Sequence, residues 1–69
     1  MRDLNREMEL RHDLWFLLSP KQRRKLSYLG YSSVNLADVE MSEFRLVTKS
    51  RELIERLITI KRMTMRVVA

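Results

Sequence analysis

The chain's single proline and single glycine stand ten positions apart and bracket one segment, Ser19-Pro20-Lys21-Gln22-Arg23-Arg24-Lys25-Leu26-Ser27-Tyr28-Leu29-Gly30. A proline inside a helix removes a backbone donor and clashes with the preceding turn, so Ser19-Pro20 must separate two elements. Ser19-Pro20-Lys21-Gln22 is also a capping-box pattern, with Ser19 as N-cap, Pro20 at N1 with its preset φ and Gln22 at N3. Gly30 stands where a left-handed C-terminal cap belongs. These signals predict a short helix over 20–29. With no other glycine or proline in 69 residues, the rest of the chain has few ways to turn, and long helices are expected.

The flanking sequence fits that expectation. Leu4, Met8, Leu10, Leu14, Trp15, Leu17 and Leu18 mark the apolar side of a helix over 4–18, with Arg6, Glu7, Glu9 and Asp13 on its polar side. Downstream, Leu46, Val47, Leu53, Ile54, Leu57, Ile58 and Ile60 recur at three- and four-residue spacing and predict the longest helix, over 43–66. Ser42 reads as its N-cap, and Met41 with Leu46 as a hydrophobic staple. Residues 34–40 read as a short helix, with an extended conformation as the alternative. The fold class is all-α, a small bundle of three to four helices in a single domain over 1–69.

A chain of this length buries only about 60% of its unfolded surface and usually needs a staple. There are no cysteines and one histidine, which excludes disulfides and the usual structural zinc sites. Association is the remaining staple. A homodimer or partner interface through Trp15, Phe16, Leu53, Ile54, Leu57 and Ile60 is therefore expected. No secretory signal and no apolar run of membrane-spanning length is visible, which predicts a cytoplasmic protein with no membrane partner. His12 has no catalytic setting, and no glycine-rich phosphate loop occurs, so the expectation is a non-enzymatic protein without cofactor or metal.

Charge is where function is most legible. The net charge is +5, and it is blocked: −1 over 1–18, +4 over 19–31, −3 over 32–44 and +5 over 45–69. Lys21, Arg23, Arg24 and Lys25 crowd the start of a helix, where the macrodipole disfavours cations by a few tenths of a kcal/mol each (roughly). Local stability does not account for that arrangement, so the cluster is a candidate binding patch. Arg45, Thr48, Lys49 and Arg51 extend it if both segments meet.

Residues 18–57 resemble the helix-turn-helix of LuxR-type regulators and sigma factor region 4. The resemblance rests on Leu18-Ser19-Pro20, Gly30, Ser32 or Ser33, the Leu36-Ala37 pair and Val47, with Ala37 and Val47 ten apart. It departs from the family pattern at Met41, where a turn glycine is usual, and at Glu40, a normally apolar position. The resemblance implies a DNA-binding transcriptional regulator acting as a homodimer. Glu43, Arg45, Thr48, Lys49 and Arg51 would then lie on or near the groove-facing side of the reading helix, with Lys21, Arg23, Arg24 and Lys25 on backbone phosphates. The competing expectation is a small modulator or inhibitor, of the kind encoded by mobile elements, that docks on an acidic or apolar surface of another protein.

Overall fold

The Ser19-Pro20 junction divides the chain as expected. The computed structural model describes residues 3–65, with α1 over Asp3–Leu17 and α2 over Pro20–Tyr28. A single 3-10 turn follows at Leu36–Asp38, then α3 over Met41–Val47 and α4 over Arg51–Met65. No strand occurs among the described residues, so the fold is all-α. None of these helices is long and apolar enough to cross a membrane.

α1 packs along α4, the 3-10 turn lies against both, and α2 packs on α3. One core joins all five elements. Leu14 and Leu18 enter from α1 and its end, Leu26 from α2, Leu36 and Val39 from the turn, Phe44 from α3, and Leu57 and Ile60 from α4. None is more than 2% exposed. Each such side chain contributes about 1.5–3 kcal/mol by leaving water. Lys61 bridges two layers by donating from Nζ to the Ala37 carbonyl at 2.9 Å, which pins the turn to α4. The radius of gyration is 11.5 Å, close to the roughly 11 Å of a compact chain of this size.

The helix expected over 43–66 is two helices. Phe44 and Leu57 are both fully buried in the same core, yet a straight helix would hold them about 20 Å apart along its axis. The helix is therefore broken at Thr48-Lys49-Ser50, and the chain changes direction there. Thr48 is extended (φ −145°, ψ 144°) and 5% exposed. Its Oγ1 accepts the Ser50 N–H at 3.1 Å. Ser50 restarts the helix, accepting Leu53 N–H on its hydroxyl at 3.4 Å and Ile54 N–H on its carbonyl at 3.0 Å. Position 66, where the long helix was expected to end, lies outside the described residues.

Other expectations change with that break. α3 starts one residue before the expected cap: Glu40 is its N-cap, and its side chain makes no capping bond. Leu46 is 77% exposed, so no staple to Met41 forms at a Ser42 cap. The helix expected over 34–40 is only the 3-10 turn, with Val34 exposed. Glu7, expected on a polar face, is buried and holds Arg11 at 3.3 Å. Leu57 and Ile60, expected at a dimer or partner interface, are enclosed by the chain's own core. Leu53, Ile54 and Trp15 are partly buried against it. α1 and the 3-10 turn cover Leu57 and Ile60 within the chain.

Candidate binding groove between α2 and α3

α2 is defined at both ends by local chemistry. Ser19 N–H donates to Gln22 Oε1 at 2.9 Å while Gln22 N–H donates to Ser19 Oγ at 3.2 Å, a reciprocal capping box. At the other end Tyr31 N–H reaches the Leu26 carbonyl at 2.9 Å and Gly30 N–H reaches Ser27 at 3.0 Å. That is a Schellman motif. It requires Gly30 at φ +99°, where a side chain would be strained. Leu26 is buried. Lys21, Arg24, Lys25 and Tyr28, at i, i+3, i+4 and i+7, share another face of the same helix.

α3 lies against α2, with its C-terminal end near the start of α2. Gln22 Nε2 donates to the Val47 carbonyl at 3.2 Å, satisfying a group left open where α3 ends. At the opposite end the Tyr31 hydroxyl donates to Glu43 Oε1 at 3.1 Å. That bond, followed by burial and the charges of Glu43, Glu40 and Asp38, pushes the Tyr31 phenol above its ordinary value. Between these two ties lies an open groove of about 550 Å³. Lys21, Arg24, Lys25, Tyr28 and Leu29 line it from the α2 side, and Glu43, Leu46 and Val47 from α3. Tyr28 is 94% exposed. Neither of the ion pairs among the described residues involves the three groove cations.

The expected patch is thus partly assembled. Lys21, Arg24 and Lys25 come together, but Arg23 leaves the cluster. Its guanidinium donates to the Leu18 carbonyl at 2.8 Å and lies over the Phe16 ring at 5.6 Å, closing the end of α1. Arg45, Lys49 and Arg51 are exposed on α3, the linker and the first residue of α4, and do not line the groove. Thr48 is buried, with its hydroxyl engaged by Ser50 N–H. The segment that the helix-turn-helix resemblance reads as one helix is divided here at 48–50.

Phe16 is exposed, with the His12 ring stacked on it at 6.3 Å. It belongs to a smaller surface with His12, Asp13, Leu17 and Arg56. Tyr28, Leu29 and Leu46 line the groove but are not among the expected binding residues, because amphipathic periodicity assigns apolar positions to a core. The Ser50-Arg51-Glu52 run, a capping residue with an acid in the next turn, was the available signal that α3 ends early and leaves Leu46 outside. Among protein-family models, curated proteins and solved structures, none matches this chain.

Proposed function

We propose that the chain is a small non-enzymatic regulatory protein that acts by docking on another protein through the α2–α3 groove. One observation carries this reading: an apolar surface that includes exposed Tyr28 and Leu46 lies beside three cations with no acidic partner. Burying apolar area contributes about 25 cal/mol per Å². A protein partner supplies that burial, whereas a phosphate backbone would leave Leu46 in water. The rival reading, a homodimeric DNA-binding regulator, draws on Lys21, Arg24 and Lys25 alone and would be governed by phosphate contacts.

In-cell photo-crosslinking tests the choice. A benzophenone side chain placed at Tyr28 or Leu46 should trap protein, while the same group at exposed Arg62 on α4 should not. Equal trapping at all three positions, or none at 28 and 46, rejects the groove. Tight binding to duplex DNA that falls by on the order of a thousandfold between about 50 and 200 mM salt supports the DNA reading instead.

A further inference from the structure

We propose that the occupant of the α2–α3 groove is an amphipathic helix of another protein with an acidic stripe beside its apolar one, an inference that rests on the docking reading above. The two walls set the length of the contact. α2 has nine residues and α3 seven, about 13 and 10 Å at the helical rise. Such a groove contacts roughly two turns of a guest helix, enough for apolar anchors at i, i+3 or i+4, and i+7. No strand exists among the described residues, so there is no sheet edge on which an extended peptide can add.

The two walls also differ in chemistry, and this decides the guest's charge. The α2 wall presents Lys21, Arg24 and Lys25, and α2 contains no acid. The α3 wall presents Leu46 and Val47, and its one acid, Glu43, already accepts the Tyr31 hydroxyl. A guest seated here meets cations along one flank and hydrocarbon along the other. Carboxylates on the guest would also neutralise three cations on one face of α2 that no ion pair engages, of which Lys21 alone stands in the first turn, where the dipole opposes it. The pairs are exposed, so each is worth a few-fold in affinity. Three together should favour an acidic guest by on the order of tenfold.

Selection from a displayed library of random peptides, roughly 14 residues long to span two turns and their ends, reads this out without knowing the natural partner. Peptides retained by the intact chain but not by Leu46→Asp should be rich in Asp and Glu, with apolar residues at helical spacing. They should lose about tenfold in affinity against Lys21→Glu/Lys25→Glu. Leu46 is exposed, so Leu46→Asp should keep the helical circular dichroism of the parent. A neutral or basic pool, or one without helical spacing, overturns the acidic helix. If that pool still depends on Leu46 and crosslinking at 28 and 46 persists, the docking reading survives it. Absence of any enriched pool, a chain dimer that Leu46→Asp dissociates, or duplex DNA held more tightly than every selected peptide at about 200 mM salt overturns the proposal.

Discussion

The Gln22 side-chain amide donates to the Val47 carbonyl at 3.2 Å, at the opposite end of the α2–α3 groove from the Tyr31–Glu43 bond. The same side chain closes the capping box of α2 through its oxygen. One amide thus joins the start of α2 to the end of α3, and its two functions can be separated chemically. Gln22→Glu keeps an acceptor for Ser19 N–H but has no donor for Val47. It should cost about 1 kcal/mol, the usual worth of one hydrogen bond. Gln22→Ala removes both bonds and should cost more. Urea denaturation of the two variants checks the order, and a Gln22→Glu protein as stable as the parent would show that the tie to Val47 contributes nothing.

The other tie is sensitive to alkali. Glu43 stabilises the protonated Tyr31 hydroxyl, so the folded-state value lies above the ordinary 10.0. The stabilisation is complete below the unfolded value. Above it the unfolded chain loses its phenolic proton first, and stability falls as pH rises until the folded state is also deprotonated. Tyr31→Phe should be less stable than the parent near neutral pH and show a shallower decline above pH 10. Thermal unfolding across that range measures both slopes. Parallel curves would mean that the bond carries no linkage.

The corner between α3 and α4 is expected to persist when its local signals are removed. Replacing Thr48, Lys49 and Ser50 together with Ala supplies three strong helix formers and deletes the Ser50 cap. A continuous helix would still separate Phe44 from Leu57 by about 20 Å. The variant should lose about 1–2 kcal/mol, in line with a lost cap, with no gain in helical circular dichroism. More helix together with greater stability would instead make the corner a product of local sequence.

Leu46 and Leu57 should separate binding from folding. They lie on helices expected to be one, yet one is 77% and the other 0% exposed. Leu57→Asp places a carboxylate in the core and should unfold the chain, since an unpaired buried charge costs several kcal/mol (order of magnitude). Leu46→Asp should change stability by less than about 0.5 kcal/mol. Melting curves decide the matter. A folded Leu57→Asp protein would contradict the assigned core.

α2 is the element that the sequence determines by itself. Its capping box closes between residues three apart and its Schellman motif within five, so Ser19, Gln22 and Gly30 specify both ends without reference to the rest of the chain. The clustering of Lys21, Arg24 and Lys25 on one face follows from their three- and four-residue spacing, with Lys25 in the last turn of α2 and not at its start. Periodicity places the buried Leu14 and Leu18 of the first helical segment and Leu57 and Ile60 of α4, because it reports which side of a helix is buried, but it misassigns Met8 and Leu17, which are exposed, and Glu7, which is buried. It does not report what buries that side. Leu57 and Ile60 have the pattern of a surface awaiting a second chain, but α1 and the 3-10 turn pack over them. On α3 Phe44 is buried while Leu46 is exposed beside Lys21, Arg24 and Lys25. Arg23 left that cluster because the Leu18 carbonyl and the Phe16 ring were within its reach. Local hydrogen bonds act over a few residues and are written in the sequence. The corner, the core and the groove depend on contacts between segments tens of residues apart, and only closure of the whole chain decides them.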